Sequence, residues 1–153
     1  MDDLDDLYQE IILSHNKRPR NEGALDPCTC DAEGYNPLCG DRIRVYVRES
    51  EDGKQVEAVT FTGEGCAISK ASASIMTEAV KNQDRLAVDA KIAEALNLLT
   101  SRDEPEADLM TLGDLAALAG VRKFPPRVKC ATLAWHTLES ALKGEGGACT
   151  EQE

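Results

Sequence analysis

Aromatic side chains are scarce in this chain of 153 residues, with one Trp, three Tyr and two Phe. Its core must therefore come from aliphatic and alanine packing rather than from large rings. Positive charge is also short. Lys and Arg number 17 against 28 Asp and Glu, a formal net charge of −11. That balance argues against non-specific binding to nucleic acid or to an anionic membrane, both of which want clustered basic residues. No apolar run approaches the ~20 residues of a membrane span. The first residues lack the basic region and apolar stretch of a secretory signal, so a cytoplasmic, reducing location is the expectation. Paired C-x-x-C motifs, the mark of a purely structural zinc knot, are missing too. The six cysteines fall well below the roughly 8–10% of a disulfide scaffold. In a reducing compartment such cysteines serve as ligands or nucleophiles more often than as cross-links.

A chain of this length fits one domain, which would bury roughly 70% of its unfolded surface without help from a metal. The expected domain runs over residues 1–143, and residues 144–153, with Gly144, Gly146 and Gly147 at their start, are expected to be a disordered tail. Leu4, Leu7, Tyr8, Ile11 and Ile12 recur at helical spacing, predicting a first helix from Asp2 or Asp3 to about His15. Asp2, Asp3, Asp5 and Asp6 at its start suit the helix macrodipole and need no other role. Residues 17–23 read as a basic connecting loop around Pro19, and residues 24–37 as a loop holding an edge strand.

Ile43, Val45 and Val47 alternate with Arg42, Arg44, Tyr46 and Arg48, the period of a half-buried strand. Asp52-Gly53 supplies the turn of a hairpin, and Val56 to Thr62 returns with Val59 and Phe61 on one face. Cys66 to about Gln83 and Leu86 to Leu99 read as helices, and an acidic loop from Ser101 to Asp108 comes after them. A short helix containing Leu115 and Leu118 is expected to be capped near Thr111 and stopped by Gly120. Phe124-Pro125-Pro126 opens a last helix on which Ala131, Trp135, Leu138 and Leu142 share a face. The order predicts an α+β fold: a small antiparallel sheet of about three strands packed against several α-helices.

Three cysteines sit where this layout puts reactive groups. Cys39-Gly40-Asp41 precedes the first strand of the hairpin, Cys66 opens the next helix, and Cys130 lies near the start of the last one. Helix starts stabilise thiolates, and residues two apart on extended backbone point the same way. Three thiolates and one carboxylate match the four ligands of tetrahedral Zn²⁺. Spacing alone leaves a second reading open, in which the three cysteines are buried free thiols.

Longer motifs narrow that choice. Leu7-Tyr8-Gln9-Glu10-Ile11-Ile12-Leu13 with His15, then Lys17-Arg18-Pro19-Arg20-Asn21, resembles the opening of the SufU branch of the IscU-like, NifU-like iron–sulfur assembly proteins. Asn36-Pro37-Leu38-Cys39-Gly40-Asp41, Phe61-Thr62-Gly63-Glu64-Gly65-Cys66-Ala67-Ile68-Ser69 and Gly120-Val121-Arg122-Lys123-Phe124-Pro125-Pro126-Arg127-Val128-Lys129-Cys130 resemble its three ligand segments. The likeness spans Leu7 to about Leu142. IscU-type scaffolds typically carry His immediately before the last cysteine, where this chain has Lys129, and they are shorter between the second and third cysteines. Both departures favour the SufU branch. Arg127 interrupts the segment that resembles the chaperone motif of IscU, and no chaperone is inferred.

The resemblance implies a zinc-dependent sulfurtransferase of iron–sulfur cluster biosynthesis, with Cys39, Asp41, Cys66 and Cys130 as metal ligands. It further implies sulfur relay from a SufS-type, pyridoxal-phosphate-dependent cysteine desulfurase; on our reading Cys39 leaves the metal when that enzyme docks and a replacement ligand takes its place. Cys39 would then accept persulfide sulfur for a downstream iron–sulfur scaffold complex. Arg127 would counter the two formal negative charges that three thiolates and a carboxylate carry beyond Zn²⁺; read by itself it is a surface arginine. The alternative is a scaffold on which a [2Fe–2S] cluster is built, and a third is a zinc-stabilised adaptor without sulfur chemistry. Cys28-Thr29-Cys30 lies outside the matched motifs and reads as incidental loop cysteines, and Cys149 as an accessible thiol in the tail. His15 is expected to end its helix, His136 to be surface or core, and Ser69, Ser72 and Ser74 to allow close helix packing.

Overall fold

The structure, a computed structural model, describes residues 3–100, 112–144 and 147–149. Helix α1 (Asp3–Lys17) leads into strands β1 (Cys30–Asn36), β2 (Asp41–Glu49) and β3 (Gln55–Glu64), then helix α2 (Ala67–Val80). A two-residue strand β4 (Gln83–Asp84), helix α3 (Arg85–Thr100), a 3-10 segment (Gly113–Lys123), helix α4 (Pro125–Lys143) and strand β5 (Gly147–Cys149) complete the order. The expected acidic loop from Ser101 to Asp108, the cap near Thr111 and the last four residues lie outside the described residues. Among the described residues no helix is long and apolar enough to cross a membrane.

Alternation along β2 decides which face of the sheet is covered. Ile43, Val45 and Val47 are buried while Arg42, Arg44, Tyr46 and Arg48 lie on the wetter face. On β3, Val56, Val59 and Phe61 are all buried although the first two are three positions apart. The register explains this: Arg48 pairs with Ala58 and Glu49 with Val56, so Glu57 is an extra residue that resets the alternation.

The sheet order is β4-β3-β2-β1-β5, antiparallel except for β5, which runs parallel to β1. The expected count of about three strands is thus corrected to five among the described residues, three long and two short. Strands of two and three residues carry no alternation that a sequence could display. β5 also places structure inside the stretch expected to be a disordered tail, because β1 offers that stretch an unpaired row of backbone groups.

Helix α4 crosses the covered face, and its approach is set by β1. A Cβ at Gly34 would meet Thr137 Oγ1 at 1.9 Å and Leu133 Cδ1 at 3.0 Å, so only a hydrogen fits there. Pro125 and Pro126 occupy the first turn of α4, and Gly144 ends it in the left-handed region. The 3-10 segment departs from the short α-helix expected, and it runs through Gly120. Its period suits its burial: Leu115, Leu118 and Val121, three apart, join the main core, while Ala116 and Ala117 pack with Tyr8 of α1.

The serines of α2 do more than allow close packing. Ser72 Oγ donates to the Ala131 carbonyl of α4 at 2.6 Å and accepts the Trp135 indole N–H at 3.1 Å. Ser74 Oγ accepts the Arg20 N–H at 2.8 Å and lies 2.7 Å from His15 Nδ1, whose Nε2 is 2.7 Å from Asp114 Oδ2. His15 is therefore a buried tie between α1, α2 and the 3-10 segment, rather than merely the end of its helix.

Candidate metal centre

The four-residue link between β1 and β2 begins after Asn36, which pairs with Asp41 across the last rung of the hairpin. Gly40 has φ +73°, where a side chain would be strained, and this turns the chain back toward β2. Gly40 N–H donates to the Asn36 carbonyl at 2.9 Å, closing the loop. Cys39 stands exposed on it, next to Leu38, which is 63% exposed. Asp41, the first residue of β2, points to the covered face and is fully buried.

A buried carboxylate needs partners, and the next element supplies them. Asp41 Oδ1 accepts the Cys66 main-chain N–H at 2.8 Å, and Oδ2 lies 3.4 Å from Asn36 Nδ2 and 3.8 Å from Cys66 Sγ. This approach explains Gly65, whose Cβ would stand 2.7 Å from Asp41 Oδ1. Cys66 is the N-cap of α2, and its sulfur accepts the Ser69 N–H at 3.4 Å. The first N–H groups of a helix lack partners within it, and the sulfur serves one of them.

Cys130, in the second turn of α4, is buried. Its sulfur lies 3.4 Å from Cys39 Sγ and 3.5 Å from Asn36 Nδ2. The Cys39 and Cys130 sulfurs and an Asp41 carboxylate oxygen all fall within 4.8 Å of one another. Among the described residues this is the one group of three or more His, Cys, Asp or Glu side chains so placed. Cys66 is not within that mutual distance of all three and joins the group through Asp41.

The electrostatics favour a cation. Burial pushes the Cys130 thiol far above its ordinary range, and contact with Cys39, Cys66 and Asp41 adds to the effect. Three thiolates and a carboxylate cannot share this space unneutralised. A small dication removes the conflict, and this donor set suits a borderline-soft tetrahedral ion.

The other sequence candidates fall elsewhere. Arg127 is exposed, with its guanidinium over the Phe124 ring at 5.1 Å. Cys30 opens β1 away from the centre and faces Glu49, its sulfur 3.6 Å from Oε1. Burial and the Glu49 charge raise its thiol to about 11, which makes it inert near neutrality. Cys28 is half-buried, and the side chain of Cys149 lies outside the description. Sequence reasoning missed one residue of the centre. Asn36 stood within a matched motif, but nothing in its type announced contact with two candidate ligands.

Comparison with known proteins gives the family of the chain. The family profile described as NifU-like N terminal domain matches residues 7–143. The zinc-dependent sulfurtransferase SufU of Bacillus subtilis is 46% identical over 146 residues, spanning 94% of this chain and 95% of that protein. The iron–sulfur cluster assembly scaffold protein IscU of Streptococcus pyogenes serotype M1 is 39% identical over 145 residues, spanning 95% of this chain and 88% of its own. A crystal structure of a proposed SUF-system scaffold protein from Fervidobacterium islandicum superposes with a TM-score of 0.77 at 32% identity, covering 87% of this chain and 94% of that one. With a profile matching most of its length and relatives covered nearly end to end, this chain belongs to the NifU-like N-terminal domain family of iron–sulfur cluster assembly proteins.

Proposed function

We propose that this chain is a zinc-dependent sulfurtransferase of iron–sulfur cluster biosynthesis. It accepts persulfide sulfur from a cysteine desulfurase on Cys39 and passes it on to cluster assembly. The observation that carries the reading is the contrast within one cluster: Cys39 is exposed while Asp41 and Cys130, within 4.8 Å of it, are buried. Similarity over nearly the whole length to a relative named as a zinc-dependent sulfurtransferase supports it.

Cys39, Asp41, Cys66 and Cys130 would hold the zinc. When bound, zinc keeps coordinating thiols deprotonated at neutral pH and damps their reactivity. The chain's own part is to present the acceptor. Cys39 Sγ, on the exposed loop, attacks the terminal sulfur of the donor's persulfide. As its new S–S bond forms, the donor's S–S bond breaks, and the donor cysteine leaves as a thiolate. Sulfur changes hands without any outside oxidant or reductant. Asp41 and Cys130 stay buried throughout, so the reacting group is the one that a partner can reach. Arg127, on the first turn of α4 with its guanidinium over the Phe124 ring, would have to turn toward the donor set to counter the two negative charges that set carries beyond Zn²⁺.

A SufS-type, pyridoxal-phosphate-dependent desulfurase is the donor, a downstream scaffold complex the recipient, and the cytoplasm the location. The net charge of −11 argues against non-specific binding to nucleic acid or to an anionic membrane. Lys129 stands where scaffolds of the IscU type carry a histidine ligand, which favours sulfur transfer over building a [2Fe–2S] cluster on this chain.

The test is metal analysis of protein purified without added metal, paired with desulfurase turnover in the presence of wild type or Cys39→Ala. Zinc at one per chain, faster turnover with wild type and loss of that gain in folded Cys39→Ala are the expected results. Bound iron with acid-labile sulfide and little zinc would replace this reading with the scaffold. Full sulfur transfer by Cys39→Ala would remove Cys39 as the acceptor.

A further inference from the structure

Asn36 is fully buried at the last rung of the β1–β2 hairpin, and each end of its carboxamide is in use. Oδ1 accepts the Leu38 N–H at 3.2 Å, while Nδ2 lies 3.4 Å from Asp41 Oδ2 and 3.5 Å from Cys130 Sγ. The partners dictate this orientation. Turned about, the amide would set its oxygen against a carboxylate and a sulfur, and its NH₂ against a main-chain donor. The main-chain carbonyl of the same residue holds Gly40. Asn36 therefore grips the loop on both sides of Cys39 and two buried side chains behind it. Its side-chain bonds go to Leu38, Asp41 and Cys130, and Cys39 is left exposed.

We propose that Asn36 is a positioning residue that divides the centre into a fixed part and a movable part. Asp41 and Cys130 are held against the sheet by its amide, and Cys39 is free to engage sulfur without disturbing them. The inference rests on the reading of this centre as a zinc-holding sulfur acceptor. To that reading it adds the residue that keeps the remaining donors arranged when Cys39 is occupied. Only a carboxamide meets both demands. Aspartate of the same shape keeps the acceptor for Leu38 N–H but loses the donor and sets a second carboxylate against Asp41. Serine offers a short acceptor to the loop and reaches neither Asp41 nor Cys130.

The test is zinc affinity of the full chain by competition with a chromophoric chelator. It compares the parent with Asn36→Asp and Asn36→Ser, each also made in a Cys39→Ser background. Losing an outer partner of metal ligands typically weakens affinity by about 10–100-fold, and that is expected of both variants, Asn36→Asp the more. The loss should be at least as large in the Cys39→Ser background, where only the fixed part remains.

Circular dichroism melting of the metal-free proteins separates a purely structural role. A lower melting temperature with unchanged zinc affinity would overturn the proposal. Asn36→Ser carries the test if Asn36→Asp does not fold. A parent that binds no zinc would sink the functional reading itself. A parent that binds zinc, with both variants binding it as tightly, would sink the positioning role alone.

Discussion

At Asp41 a carboxylate with no solvent access is held from two directions, by the Cys66 N–H on one oxygen and by Asn36 on the other. That fit leaves no room at Gly65, so Gly65→Ala must displace either Asp41 or the start of α2. The expected cost is about 1–3 kcal/mol of stability by urea denaturation, together with roughly tenfold weaker zinc binding by chelator competition. Gly65→Ala with parental affinity would mean that Asp41 does not have to stay where it lies.

Cys30 gives a pH dependence of a different kind. Its thiol is raised in the folded state from 9.0 to about 11, so folding favours the neutral form. That contribution is fully present below pH ~9 and is lost as the pH rises through about 11, because the unfolded chain ionises first. Unfolding free energy measured from pH 8 to 11 should therefore fall less steeply in Cys30→Ala than in the parent. Parallel slopes would contradict the burial described. The chemistry of such residues is unevenly legible in a sequence. Cys39, Asp41, Cys66 and Cys130 announce themselves because thiols and a carboxylate recur in specific motifs. Asn36 beside Pro37 reads as an ordinary turn former, and its use comes only from which groups the fold brings against it.

Among the elements, the β2–β3 hairpin is the most legible, since its alternation and its Asp52-Gly53 turn are local properties. Glu57 is not, because a bulge is a property of two strands in register rather than of one. The 3-10 segment differs from the short α-helix expected for a related reason. Leu115 and Leu118 suit either helix, and only the packing of Val121 and of Ala116 and Ala117 decides between periods.

Helix α2 makes the clearest prediction at this scale. Ser72→Ala removes a donor from the Ala131 carbonyl and leaves the Trp135 indole N–H without its partner in the core. The expected loss is about 1–3 kcal/mol of unfolding free energy, with altered Trp135 fluorescence as an independent reading. A loss near zero would show that the bonds between α2 and α4 are replaceable.

For the molecule as a whole, a metal that binds the folded chain and not the unfolded one adds to its stability by mass action. At free zinc 100 times the dissociation constant, that addition is about 2.7 kcal/mol. The thermal midpoint should climb with free zinc and fall back on chelation, while far-UV circular dichroism below the transition stays unchanged. Among the described residues, an apolar core of 25 buried side chains that includes none of the four candidate ligands is why the fold is expected to outlast the metal. Collapse of secondary structure on chelation would instead place this chain among domains that fold only around their ion.

The candidate ligands lie on three separate pieces of chain: the β1–β2 hairpin with its loop, the head of α2 and the head of α4. Cys66 and Cys130 are 64 positions apart, which at ~5–20 residues per second is roughly 3–13 s of ribosomal synthesis. Throughout that interval Cys39 and Cys66 are already made while their last companion is not. The nascent chain therefore passes through a stage with an incomplete binding cleft and unguarded thiols. If the centre holds a metal ion, its loading would come after the last helix has docked, and an oxidant arriving earlier would find those sulfurs first.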